Sequence, residues 1–298
     1  GQSGSSGNGG DLEFGTAPEG TRGCFPRQLS KVFPVVLCRG ELATVGVGIP
    51  ADAGKFRAAR FSATGSASMN RKPVGAEAYD EKWIASAWGE RANEAFLKQE
   101  IDHPRPRVVR AMELAAIEVG QTVLDIACGR GEVPALVAEK GAFAVGIDFS
   151  AASLAFAAEV KATRHARFGA GTMELIRADA CCLPFADASF DRITMLDIVE
   201  HLVPAQLEAM FREVGRLLKP GGFAIIHTLP NRWVYDVTFP LLRKLWRGMP
   251  ADPRGPIDRE IHVNEQDLPG LHGVLKRCGL AHRLWLEQHM AAQARWNR

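Results

Sequence analysis

The chain is predicted to fold as an α/β domain, a doubly wound, mostly parallel sheet with helices on both faces. Three observations predict it. Short apolar runs alternate with stretches at helical spacing from about residue 122 onward. The run Val123-Leu124-Asp125-Ile126 enters a glycine turn, Ala127-Cys128-Gly129-Arg130-Gly131, and a helix begins directly after it. Four acids, Asp125, Asp148, Asp179 and Asp197, fall at or just past the ends of expected strands, where open sheets of this class bind ligands.

The elements follow in order. Residues 1–75 are rich in Gly, Ser, Ala, Pro and Arg without a sustained period, and are expected to lack structure. Within them only short apolar pieces such as Lys31 to Leu37 are candidates for docking on the domain. The folded part spans 76–298. It opens with a helical cap over 76–119, in which Trp83, Ile84, Trp88, Ala92 and Phe96 mark a helix from Tyr79 to Ile101. Pro104 and Pro106 end that helix, and a second runs from Val108 to Val119. Strands are expected at 122–126, 142–147, 173–177, 190–196, 222–228 and 280–286. Helices are expected at 131–140, 150–163, 203–217 and 264–278, the last capped by Asn264. An insertion over 232–262 precedes the last strand and is read as a lid, with Pro240 dividing its first helix. A seventh, antiparallel strand would have to come from Met290 to Arg298, which looks helical, so that edge is expected to be degenerate or missing.

The chemistry starts at the glycine turn. Asp148 lies about 20 residues beyond it, the separation at which a carboxylate holds a ribose diol. A nucleoside-containing cofactor is therefore expected. A dinucleotide turn reads G-x-G-x-x-G, and its third glycine lets helix and strand pack closely. Here Gly129 and Gly131 are followed by Pro134 at that place, which opposes a dinucleotide.

Composition excludes several classes. The 298 residues allow one large domain or two small ones, and 46% are apolar. A net charge of +2 is too small for nucleic-acid binding through a general field, and no nucleic-acid partner is expected. The six cysteines form no C-x-x-C pair, so neither a zinc site nor a disulfide framework is indicated; a reducing, cytoplasmic location is expected. No apolar run approaches the roughly 18 residues of a membrane span.

The turn Asp125-x-Ala127-Cys128-Gly129-x-Gly131 resembles the first motif of the class I S-adenosylmethionine (SAM) methyltransferases, with Ala127 where many members have glycine. Val145-Gly146-Ile147-Asp148-Phe149-Ser150 is similar to the second motif. Arg177-Ala178-Asp179-Ala180 with Leu183-Pro184-Phe185 is similar to the third, Phe190 to Asp197 to the fourth strand, and Leu218-Lys219-Pro220-Gly221-Gly222 to the turn entering the fifth. The resemblance covers about Ala76 to the C-terminus. It implies a Rossmann-like seven-stranded sheet and SAM as cofactor. It assigns Gly129, Gly131, Ala127 and Cys128 to the methionine end, with Asp125 stiffening the turn. It assigns Asp148 and Phe149 to the ribose, Asp179 and Ala180 to the adenine, and Asp197 to the cofactor-facing end of the fourth strand.

Asp197-Ile198-Val199-Glu200-His201 narrows the resemblance to the ubiquinone-biosynthesis O-methyltransferases. It implies His201 and Glu200 as catalytic residues on a hydroxyl acceptor, with His227 a second candidate base. No metal is expected; a divalent ion on Asp197, Glu200 and His201 is the alternative use of the same residues. The expected function is methylation of a small molecule at oxygen, on a quinone precursor, a lipid-linked intermediate or a glycan intermediate. Aromatic and basic residues within 232–249 suggest peripheral membrane contact. Two rivals stand beside this reading: a nicotinamide-dependent oxidoreductase and a SAM-binding module without turnover. The oligomeric state is not legible.

Overall fold

A computed structural model describes residues 32–39, 71–88, 104–228, 232–246 and 248–288. Five strands form a parallel core in the order β4-β3-β2-β5-β6. They are β2 (Thr122–Ile126), β3 (Phe143–Asp148), β4 (Thr172–Arg177), β5 (Phe190–Leu196) and β6 (Leu218–His227). β2 and β3 are almost wholly buried, as a sheet covered on both faces requires. The helices between them are α3 (Glu132–Glu139), α4 (Ala151–Arg164) and α5 (Pro204–Leu217). The mostly parallel α/β sheet read from the sequence is the observed one.

The other edge departs from expectation. β1 (Val32–Arg39) lies in the segment expected to lack structure, yet it runs antiparallel between β6 and β7 (Ala281–Gln288). Its ladder to β6 begins at Val35, whereas Pro34 is opposite only β7. The proline, which has no N–H to donate, thus sits where one side of the strand is unpaired. The segment proposed as a seventh strand, Met290 to Arg298, lies outside the described residues.

Prolines set the helix starts. α1 (Glu81–Trp88) realises the described part of the first expected helix; residues 89–101 of that expectation lie outside the described residues. α2 (Pro106–Ala115) begins earlier than expected, with Pro106 in its first turn, and ends at the left-handed Ala116. α8 (Leu268–Arg277) is capped by Asp267, which accepts from the Gly270 N–H at 2.7 Å, and not by Asn264. A start at 264 would carry Pro269 deep into the helix and lose a backbone bond; the later start leaves it in the first turn. Asn264 instead donates to the Leu202 carbonyl at 2.9 Å. The insertion holds a π turn (Val234–Thr238), α6 (Phe239–Leu245) and α7 (Pro256–Ile261).

The main core lies between the sheet and α5 and α8. Phe190, Phe211, Leu207, Met210 and Leu271 are each at most 2% exposed. The N-terminal cap packs on the other side through Val108, Ala111 and Ala115, against Val123 and Ile225.

Candidate active site

A cavity of about 700 Å³ opens over the carboxyl ends of β2, β3 and β5. Asp125, Ala127, Cys128, Gly129, Asp148, Phe149, Asp179, Ala180, Asp197 and His201 all line it. Residues dispersed over 77 positions thus converge because parallel strands end on one side of the sheet.

The glycine turn forms one part of the wall. Ala127, Gly129 and Gly131 all have positive φ, at 60°, 52° and 80°. Only glycine adopts this freely, so the alanine at 127 holds a strained backbone. At Gly131 a side chain would also collide: a Cβ would lie 2.8 Å from Met173 Cε and 3.0 Å from Ala157 Cβ. The absence of a third glycine at Pro134 has a structural answer. A Cβ on Gly146 of β3 would stand 3.0 Å from both Pro134 Cγ and Cys128 Sγ. The strand carries the glycine that allows close approach, so the helix can carry the ring. Cys128 is a small packing residue, and burial pushes its thiol well above the usual range, away from reactivity.

Asp148 locks the turn to β3. Its Oδ2 accepts from the Gly129 N–H at 3.0 Å and its Oδ1 from the Ser150 N–H at 2.9 Å. Burial raises its pKa, outweighing those two N–H donors. Asp125 is 5% exposed and accepts from Thr194 Oγ1 at 2.5 Å. Burial pushes its carboxyl up to about 7, against the opposing hydrogen bond from Thr194. Asp179 accepts from the Cys181 N–H at 2.8 Å and so shapes the loop after β4.

Asp197 sits at φ 60° and is held by Arg107 and His227. Arg107 Nε lies 2.8 Å from Oδ2, and His227 Nδ1 lies 2.5 Å from Oδ1. Burial alone would raise its pKa, but Arg107 and His227 prevail and hold it at about 2. His227, expected as a candidate base, is 2% exposed, bonded to Asp197 and not among the lining residues. It orients Asp197 rather than facing the cavity. Glu200 is likewise buried, accepting from Thr228 Oγ1 at 2.7 Å, and does not line the cavity.

His201 is the one expected catalytic residue on the wall. Its Nδ1 is 2.9 Å from the Tyr79 hydroxyl. Burial, followed by the neighbouring His262, depresses its pKa to about 3, so the ring is neutral across the physiological range. Tyr79 packs edge-on against Trp83 at 4.8 Å and lies 5.3 Å from Phe149, joining the cap to the second motif. His262 stacks edge-on against His201 at 5.0 Å. Glu200, His201 and His262 have ligand atoms within 4.8 Å of one another. Asp197 does not join that group, because both of its oxygens are already engaged; the trio Asp197, Glu200 and His201 is not what the fold assembles.

Sequence reading missed Tyr79, Arg105, Arg107 and His262 as lining residues. Tyr79 meets His201 across 122 positions, with no local motif to announce it. Arg105 and Arg107 flank a proline that read only as a helix boundary. Of the insertion, Gly255, Asp258, Ile261 and His262 line the cavity, whereas no residue of 232–246 does. Of the insertion expected as a lid over 232–262, the described residues that reach the cavity all lie in its second half.

A family model described as a methyltransferase domain matches residues 123–222. The chain is 31% identical over 188 residues to a demethylmenaquinone methyltransferase of Desulfitobacterium hafniense, covering 57% of this chain and 70% of that protein. It is 33% identical over 126 residues to an uncharacterized methyltransferase of Synechocystis, covering 42% and 55%. It is 38% identical over 115 residues to a chloroplastic 2-phytyl-1,4-beta-naphthoquinone methyltransferase of Arabidopsis thaliana, covering 38% and 43%. The chain thus spans between about two fifths and seven tenths of the length of these relatives. All three carry the same class of name, and the nicotinamide alternative gains nothing from them.

Proposed function

Since the chain belongs to the class I SAM-dependent methyltransferases, we propose that it methylates a ring hydroxyl of a quinol-type aromatic acceptor. The observation that carries this reading is a neutral histidine, His201, lining the same cavity as the glycine turn, with its Nδ1 2.9 Å from the Tyr79 hydroxyl. Two of the relatives are named for quinone methylation, which supports the acceptor class.

The cavity suits the cofactor on its own evidence: the left-handed Gly129 of the turn lines it, and six acids, Asp125, Glu132, Asp148, Asp179, Asp197 and Asp258, line the space, whereas Gly131 packs behind the wall on Met173 and Ala157. SAM supplies a methyl group already activated on a cationic sulfonium. The protein's task is then chiefly to hold nucleophile and methyl in line and to exclude water. The turn at Gly129 and Gly131 would hold the methionine end, with Asp125 offering negative charge to its cationic groups. Asp148 keeps free lone pairs beside its two backbone bonds and would accept from the ribose hydroxyls. Asp179 and Ala180 would edge the adenine.

On the acceptor side, His201 is held as a neutral imidazole between the Tyr79 hydroxyl, 2.9 Å from Nδ1, and a backbone hydrogen bond to Ile261. An acceptor hydroxyl that reaches the ring in place of the Ile261 contact would pass its proton to the imidazole as the O–CH3 bond forms and the S–CH3 bond breaks, leaving a neutral ether and a neutral thioether. Tyr79 and Glu200 act around this group: Tyr79 fixes the ring, and buried Glu200 braces the loop that presents it. We read β1 as occupying the place of the seventh strand, which would complete the family sheet.

The test is turnover of a reduced naphthoquinone-type acceptor with labelled SAM, comparing the wild type with His201→Ala. An O-methylated product, with kcat lower by about 10²-fold or more in the variant and unchanged SAM affinity, is expected. SAM binding without turnover on any quinol would sink the enzymatic reading in favour of a binding module. Label on a ring carbon would overturn the choice of atom.

A further inference from the structure

The first half of the insertion has no role in the site described above, and its surface is unusual. Trp233, Val237, Leu241 and Leu245 recur at every fourth position, 41%, 51%, 55% and 77% exposed, with Trp246 at 53%. A spacing of four drifts around an α-helix of 3.6 residues per turn. The wider π turn at Val234–Thr238, followed by α6, offsets that drift and keeps the four in one ridge. The base of the segment is fixed. Arg232 N–H donates to the Gln266 carbonyl at 2.8 Å, and its guanidinium lies 2.8 Å from Asp267. Arg254 covers the Tyr235 ring at 4.9 Å, and Phe239 is buried. The outward ridge is therefore held in place by an anchored base rather than tucked into a core.

Two occupants suit an exposed apolar ridge: another protein surface or a lipid interface. Charge decides between them. From Trp233 to Trp246 the charged side chains are Asp236, paired with Arg232 at 3.3 Å at the base, and Arg243 and Lys244, both exposed at the far end. Cations beside tryptophan and leucine match the boundary between anionic headgroups and acyl chains. Among the described residues no helix is long and apolar enough to cross a membrane, so contact would be with one face only.

We infer that the ridge Trp233–Val237–Leu241–Leu245, with Trp246, Arg243 and Lys244, seats the protein on an anionic lipid surface. The second half of the same insertion lines the cavity, so docking would bring the site's covering segment to the surface from which an apolar acceptor would come. The inference does not depend on the identity of that acceptor.

Co-sedimentation of the full chain with vesicles tests it, using phosphatidylcholine with phosphatidylglycerol against phosphatidylcholine alone. Binding to the anionic vesicles that weakens with salt is expected. Leu241→Ser with Leu245→Ser should lower it roughly tenfold or more. Arg243→Gln with Lys244→Gln should lower it about thirtyfold. These side chains are exposed, so SAM affinity should stay unchanged and serves as the folding control. Absence of vesicle binding with a dimer by light scattering would give the ridge to a second copy and overturn the inference. Absence of vesicle binding by a monomer would overturn it as well, as would binding that the ridge variants leave intact.

Discussion

Replacing Asp125 by Asn should make the protein more stable and its cofactor site worse, and the stability gain should depend on pH. The carboxyl is buried at the end of β2, and burial lifts its pKa from 3.8 to about 7. An acid whose folded pKa is raised holds its proton longer in the folded than in the unfolded chain. Its contribution is neutral below about pH 4, and stability is then lost progressively as pH rises to about 7. A rise of about three units at about 1.36 kcal/mol each amounts to roughly 4 kcal/mol by pH 8. Asn cannot ionise, and its Oδ1 can still accept from Thr194. The variant should match the wild type near pH 4 and exceed it by up to about 4 kcal/mol at pH 8. For a domain of this size that is a rise of roughly 8–16 °C in melting temperature. The assay is denaturant unfolding of both proteins at several pH values, with SAM affinity measured in parallel. Wild-type SAM affinity should strengthen as pH rises through 7, because ionised Asp125 attracts a cationic ligand, and the variant should lose that dependence. A gain that is the same at pH 5 and pH 8, or a destabilised variant, would refute the reasoning.

Other outcomes follow from the same geometry. Ala127→Gly should stabilise by roughly 0.5–1 kcal/mol, since relief of the left-handed alanine outweighs the added chain entropy; urea midpoints at constant m-value check it. Gly146→Ala should cost about 1–3 kcal/mol by crowding Pro134 and Cys128, and less in a Pro134→Ala background, a coupling that a double-mutant cycle reads directly. Asp197→Asn should have the opposite pH signature to Asp125→Asn. Its folded pKa lies near 2, so the ionised carboxylate stabilises above about pH 4 and that contribution fades as pH falls toward 2. The variant should therefore lose about 2–3 kcal/mol at pH 7 and little at pH 2, by denaturant titration.

Much of the sheet was legible because its information is local. Each of β2 to β5 is a short apolar run closed by a turn or an acid, and parallel pairing follows from the helix between neighbours. β1 was not legible as sheet. Its pairing with β6 spans about 190 positions, and Val32 to Leu37 looks the same whether it is docked or free. Asp125, Ala127, Cys128, Gly129, Asp148 and Asp179, expected at the cofactor, do meet in one cavity, since the glycine turn and the strand-end acids are sequence features. Of the three residues expected to be catalytic, His201 lines that cavity and Glu200 and His227 do not. Tyr79 and His262 reach it from the cap and the insertion, and nothing in their own neighbourhoods marks them. The fold turns His227 and Glu200 inward to Asp197 and Thr228, partners that no local pattern marks.

The two strand-end acids nearest the glycine turn and the acceptor histidine show why residue type alone could not assign roles. Asp125, buried, and Asp197, partly buried, line one cavity, yet one is pushed up to about 7 and the other held at about 2. The difference is partners. Asp125 has a neutral hydroxyl, which lowers the cost of ionisation only slightly. Asp197 has a guanidinium at 2.8 Å and an imidazole at 2.5 Å. A charge that is already neutralised locally has little left to offer a ligand, so Asp197 fixes backbone at φ 60° and orients the start of the His201 loop. A charge left uncompensated is costly until a cation arrives. Asp125 is therefore the group whose ionisation should be coupled to cofactor binding, and its position beneath the turn is where a sulfonium ligand repays that cost.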